Sequence, residues 1–255
     1  MPDLKLKPSM TGPTLPPGSD LAGHEGENIM ALQTPRTNQL LKHLSAEARP
    51  EILADSEMVE YGAGSVVSAH EGGIEQVQFP IAGYAALRAT GSEHAGLYIA
   101  LVGVEGMLGW ETVLGRQRPG LQVLVPDSLT LLRIPARLFT RRLAERPEID
   151  QMVRDYIARL FERVARSSMC IRYHRLEARL ARCLLEVRSR VESETFFLTQ
   201  QTLSELLGVR RSGISGAATQ LQADGLIRYR RGTIIVLDPT GLRSLSCDCL
   251  DHDVR

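Results

Sequence analysis

The sequence contains no apolar run approaching the roughly 18 residues that a membrane-spanning helix requires, and no charged, apolar and small-residue leader follows Met1. A soluble, cytoplasmic chain without a membrane partner is expected. Cysteine is scarce, with four residues in 255, at positions 170, 183, 247 and 249. Thiols so few and scattered do not make the disulfide framework of a small secreted protein, so reduced thiols are expected. No His-x-His with a downstream glutamate occurs among His70, Glu71, His94 and Glu111, which disfavours a cupin-like metalloenzyme. There is also no nucleophile, base and acid set and no phosphate-cradling glycine loop. A non-enzyme without a cofactor is expected. Cys247, Cys249 and His252 form C-x-C-x-x-H, one ligand short of a closed tetrahedral site. That tail is expected to pack on its domain without binding a metal.

Net charge is zero, with 30 basic and 30 acidic residues, but the balance hides a gradient. From Arg172 to about Asp238 arginine outnumbers acid, whereas Ala46 to Glu111 is mildly acidic. A chain whose C-terminal part alone meets phosphates would be charged this way. That part holds the most informative stretch, Leu198 to Ile227, which reads as two short helices joined by a tight turn at Gly208. Thr199 is a good N-cap, and Leu198 and Leu203 stand where a hydrophobic staple closes a first helical turn. In the second helix Ile214, Ala217, Ala218 and Leu221 share one apolar face. Arg210, Arg211, Ser212 and Ser215 are therefore directed outward near its N-terminus. In a helix-turn-helix that end enters the major groove, where Arg211 would read guanine and Arg210 or Ser212 would hold a phosphate. Thr199 and Gln200, at the start of the first helix, belong to the same expected DNA face. Leu226 to Tyr229 and Thr233 to Leu237 then read as a hairpin with Arg230, Arg231 and Gly232 at its tip. The whole is a winged helix.

Upstream, residues 1–37 are rich in proline and glycine and read as a flexible arm. Residues 38–146 form the next unit, opening with a helix over Asn38 to Leu53. Short strands follow over Tyr61 to Ala69, Gln76 to Pro80, Tyr84 to Thr90, Tyr98 to Val104, Gly120 to Val125 and Ser128 to Ile134. Many short strands between glycine turns imply a small β-roll with room for one ligand. Pro147 opens a long helix as an N1 proline should. Over residues 147–171, Ile149, Val153, Tyr156, Leu160, Val164, Ser167 and Ile171 make a heptad-like seam, which predicts a homodimer. Residues 172–255 complete the chain as the winged helix-turn-helix domain and a short tail. The expected fold class is α+β: an N-terminal β-roll, a long dimerisation helix and a C-terminal winged helix-turn-helix domain.

This order of parts resembles the Crp/Fnr superfamily of bacterial transcription regulators, over about Asn38 to Leu245. The resemblance is carried by VQFPIAGYAAL (residues 77–87), GMLGW (residues 106–110), the run from Pro147 to Leu184, and LTQQTLSELLGVRRSGIS with the following GLIRYRRGTIIVL. It implies a dimer on a pseudo-palindromic operator of double-stranded DNA, acting with RNA polymerase. It also implies an effector pocket at Met107, Leu108, Trp110 and Arg118. Where relatives binding cyclic nucleotides carry Gly-Glu-Leu and Arg-Ser, this chain has Gly106-Met107-Leu108 and Pro119-Gly120. The ribose-binding carboxylate and the phosphate-binding pair are both missing, so control by cyclic AMP is not expected. The absence of cysteine before Cys170 likewise excludes the N-terminal iron–sulfur cluster of another branch. An unknown small-molecule effector stays open, as does action through a protein partner, with the β-roll as a ligand-binding module.

Overall fold

The structure is a computed structural model that describes residues 37–68, 76–91, 96–115 and 121–252. The expected arm, His70, His94 and Arg118 lie outside the described residues. The N-terminal unit is built from β1 (Glu57–Tyr61), β2 (Val66–Ser68), β3 (Gln76–Gly83), β4 (Ala85–Ala89), β5 (Leu97–Val102), β6 (Leu121–Leu124) and β7 (Leu129–Pro135). They pair antiparallel in two sheets, ordered β1-β7-β3 and β2-β6-β4-β5. Val77, Phe79, Leu87, Val102, Val123, Leu131 and Ile134, contributed by both sheets, fill one core. This is the β-roll anticipated from the glycine-punctuated strands.

Two elements differ from expectation. The run from Tyr61 to Ala69 is not one strand, because the chain turns through Gly62 to Ser65, with Gly64 at φ +79°. The expected single helix over Asn38 to Leu53 is also split, into α1 (Gln39–Lys42) and α2 (Ala48–Ala54). Ser45 explains the break. Its hydroxyl accepts the Ala48 N–H at 3.1 Å and donates to Glu148 at 2.8 Å, favouring a new start over continuation. Asn38 anchors α1 to the roll. Its Oδ1 caps Leu40 and Leu41, and its Nδ2 donates to the carbonyls of Pro80 and Gly106 at 2.9 and 2.8 Å.

After α3 (Trp110–Val113) and α4 (Ala136–Glu145), Pro147 opens α5 (Pro147–Tyr173). At 1.5 Å per residue this helix is roughly 40 Å long. The expected dimer seam divides at Leu160. Ile149, Val153, Tyr156 and Leu160 are at most 4% exposed and belong to the roll's own core, and the Tyr156 hydroxyl donates to the Met107 carbonyl at 2.8 Å. An apolar stripe says which face is buried but not by whom, and here the same chain covers it as far as Leu160. Beyond Leu160 the helix carries apolar side chains that its own chain leaves open. Phe161 is 73% and Ile171 39% exposed, with Met169 and Tyr173 also open to solvent.

His174 and Arg175 are extended and separate α5 from α6 (Leu176–Val191). α6 carries Leu180, Leu184 and Val187 into a second core that also takes Tyr84, Ala86 and Leu101 from the roll. Strand β4 is thus buried on both faces, Ala85 and Leu87 inward and Ala86 outward against the C-terminal domain.

A buried ion-pair group crosses the same boundary. Arg190 on α6 reaches Glu105 at 2.8 Å, Arg163 on α5 approaches the same carboxylate at 3.7 Å, and both guanidiniums donate to the Leu101 carbonyl. Burial by itself would raise the Glu105 carboxyl, but Arg190 and Arg163 outweigh it and hold it below the usual carboxylate range. A carboxyl lowered in the folded state stabilises fully above its unfolded value of about 4.3, and that contribution disappears as pH falls through the lowered folded value. Glu105→Gln is expected to cost roughly 1–3 kcal/mol at neutral pH by stranding charged donors. Urea midpoints of wild type and variant should converge as the medium is acidified below about pH 4.

Candidate nucleic-acid interface

The C-terminal domain sets α7 (Gln200–Leu207) and α8 (Arg211–Ala223) against a sheet ordered β8-β10-β9, made of β8 (Thr195–Phe197), β9 (Ile227–Arg230) and β10 (Thr233–Val236). Thr199 caps α7, its hydroxyl oxygen accepting the Thr202 N–H at 3.0 Å. Leu198 and Leu203 are both buried, as a staple requires. Gly208 ends α7 at φ +61°, in the left-handed region that favours glycine. Arg179 completes that helix end: a buried guanidinium donates to the carbonyl of Leu207, where a cation complements the helix dipole.

In α8, Ile214, Ala217, Ala218 and Leu221 are buried, while Arg210, Arg211, Ser212 and Ser215 are exposed. Its first turn contains no acidic residue, so the unpaired N–H groups there present partial positive charge to solvent. Arg211 Nε donates to Gln200 Oε1 at 3.3 Å, orienting the guanidinium across the gap between the two helices. In the wing, Arg231 at φ +50° and Gly232 at φ +89° form the tip between Arg230 and Thr233. Two successive left-handed residues make the tight turn whose twist matches the strands it joins. A side chain at position 232 would meet the Phe197 ring at 2.5 Å.

Between helices and wing lies a cleft lined by Thr199, Gln200, Arg211, Tyr229, Arg231 and Gly232. Four of the residues expected on the DNA face therefore converge in one depression. Arg210, Ser212 and Ser215 flank it on α8, and Arg230 is exposed on β9. Tyr229 was not anticipated. Its hydroxyl donates to the Leu198 carbonyl at 2.9 Å and its N–H to Gln222 at 2.8 Å, clipping the wing to the helical pair. The period-two pattern of Ile-Arg-Tyr-Arg already placed it on the inward face with Ile227.

Helix α8 contains two glycines with different reasons. A Cβ at Gly213 would approach Leu176 on α6 to 3.1 Å, whereas at Gly216 it would meet nothing within 4 Å. Close packing inside the domain accounts for the first, and the structure offers no packing reason for the second. The helical pair also touches the roll. A side chain at Gly208 would run into Leu97 at 2.6 Å, and the Tyr98 hydroxyl lies 3.5 Å from the Glu205 carboxylate. Burial, with the neighbouring Glu205 charge, pushes the Tyr98 phenol up to about 12.

The remaining expected sites divide. Met107, Leu108 and Trp110 are buried, and all three belong to the roll's core. Cys247 and Cys249, one ligand short in the sequence, are joined in space by Cys170 and His174 from the far end of α5. Among the described residues no helix is long and apolar enough to cross a membrane.

A capped helix, a glycine turn, a second helix with an open N-terminus and a basic two-residue wing tip, carried behind a β-roll and a long helix, define a winged helix-turn-helix fold. Residues 178–245 match the family described as the Crp-like helix-turn-helix domain. A transcriptional regulator of the crp/fnr family from Eubacterium rectale superposes with a TM-score of 0.65 at 18% identity, over 81% of this chain and 97% of its own. A Crp/Fnr-family regulator from Thermus thermophilus gives 0.63 at 23% identity, over 74% and 98%. FixK2 from Bradyrhizobium japonicum gives 0.65 at 14% identity, over 75% and 98%. No curated protein matches the chain in sequence. The chain carries a Crp-like helix-turn-helix domain on the fold of the Crp/Fnr transcription regulators.

Proposed function

We propose that the chain is a cytoplasmic, sequence-specific DNA-binding regulator of transcription that works as a homodimer and acts through RNA polymerase rather than by catalysis. The observation that carries this reading is the cleft between α7, α8 and the wing, where Thr199, Gln200, Arg211 and Arg231 meet beside an α8 N-terminus free of acid. Arg211 reads a base edge in the major groove. Arg210, Arg230 and Arg231 hold phosphates on either side. A two-fold axis along the exposed half of α5 sets two such faces on successive major grooves about 34 Å apart, so the operator is a pseudo-palindrome. Control by cyclic AMP is disfavoured by Met107, which stands where its binders carry a carboxylate, and by the burial of that methionine in the core.

Gel-shift titration of the purified protein against genomic fragments, repeated over a salt series, tests this. Three phosphate-holding arginines per protomer predict a log–log slope of roughly −5 for the dimer. A protein that retains no fragment at low ionic strength, or binds with a slope near zero, overturns the proposal.

A further inference from the structure

Where α5 ends and the C-terminal tail meets it, Cys170, His174, Cys247 and Cys249 bring three sulfur atoms and one imidazole nitrogen within 4.8 Å of one another. The Cys170 and Cys247 sulfurs are 3.5 Å apart, and the Cys249 sulfur is 3.6 Å from His174 Nδ1. These are not disulfide distances, since a bridge needs about 2.05 Å, and all four cysteines of the chain are free. They match two opposite edges of a coordination tetrahedron. Metal–sulfur bonds of about 2.3 Å and metal–nitrogen bonds of about 2.0–2.1 Å give ligand–ligand separations of roughly 3.4–3.8 Å.

We propose that these four residues bind one zinc ion, in a closed Cys₃His site that staples the C-terminal tail to the end of α5. The local fold supplies the geometry. Cys170 lies in the last turn of α5 and His174 caps that helix, its N–H donating to the Cys170 carbonyl at 3.2 Å, which holds the two residues side by side. Cys247 and Cys249 enter from the short turn around Asp248–His252. The imidazole in the cluster is that of His174; the side chain of His252 lies outside the described residues.

The surroundings agree. The three cysteines are at most 7% exposed, and among the described residues the apolar cluster they form contains only Ala178 besides themselves. Leu250, beside Cys249, is buried in the C-terminal domain's core, and a shared ion adds the cross-link to α5. Thiolates with an imidazole select a soft or borderline cation over magnesium or calcium. Four protein ligands leave no open position, so the site is structural rather than catalytic.

The second nitrogen of His174, Nε2, lies 3.6 Å from the Asp248 carboxylate. A carboxylate on that side favours the tautomer that leaves Nδ1 free to ligate.

The staple spans the extended His174–Arg175 link between long helix and DNA-reading domain, and so fixes the angle at which the second leaves the first. The test uses the full-length protein purified without chelator. Mass spectrometric metal analysis is expected to find one zinc per chain. After stripping with a chelator, cobalt(II) is expected to restore the intense visible bands of a tetrahedral site, with thiolate charge transfer in the near ultraviolet. Cys249→Ser should abolish both. Asp248→Asn, at an exposed carboxylate that leaves the fold intact, should weaken zinc binding by roughly 10–100-fold in chelator competition. Wild-type protein with no zinc and no tetrahedral cobalt spectrum overturns the site, as do stoichiometry and spectrum unchanged in Cys249→Ser. None of these readouts involves DNA, so their failure is separate from failure of the proposed function.

Discussion

Phe161→Glu is expected to leave the chain folded but monomeric, and to lower operator affinity by about 10²–10⁴-fold, the gain that linking two half-site contacts provides. Phe161 is 73% exposed, so its own chain loses nothing by the change. It stands in a row with Ile157, Val164, Ser168 and Ile171, spaced four, three, four and three along α5, which is the spacing of a two-helix contact. Around a two-fold axis each side chain acts twice, so the substitution removes two aromatic rings and sets two carboxylates near one another. Sedimentation velocity together with gel shifts reads both outcomes, and circular dichroism checks the fold. A dimer that survives, with operator binding intact, would move the contact to another surface.

Arg211→Ala is the second large effect, expected to cost about 1–3 kcal/mol on the operator and to relax the preference at one base pair in each half-site. The guanidinium is exposed, is held by Gln200 at 3.3 Å, and caps no part of the fold. Its loss should therefore appear in sequence discrimination rather than in thermal stability. Competition binding against operators altered one base pair at a time measures this. An equal loss on every sequence would assign Arg211 to a phosphate and leave base reading to its neighbours.

What could be foreseen in this chain followed the range of the interactions. The cap at Thr199, the staple of Leu198 and Leu203, the turn at Gly208 and the wing tip at Arg231-Gly232 are made by residues within a few positions of one another, and each was legible as a local pattern. The burial of Ile149 to Leu160 was legible too, but not its partner. A helix stripe has the same spacing whether a second chain or the chain's own β-roll covers it, and only the fold shows that Met107 receives Tyr156. The gathering of the cysteines was hidden for a related reason. Cys170 is 77 residues from Cys247, and a C-x-C pair carries no mark of the distant helix end that packs against it. Ser45 was overlooked because a helical period runs through it unbroken; the break comes from its bonds to Ala48 and to Glu148 on α5.

The contact of Leu97 and Tyr98 with Gly208 and Glu205 has a consequence for how such a dimer would measure DNA. Each reading head is braced by the barrel wall of its own chain, not hung on a tether, so the gap between the two heads behaves like the jaw setting of a caliper. A base pair added between half-sites rotates one of them by about 36° around the duplex, and a braced head cannot swing to follow. Spacer length would then be discriminated by a strand that never approaches the nucleic acid.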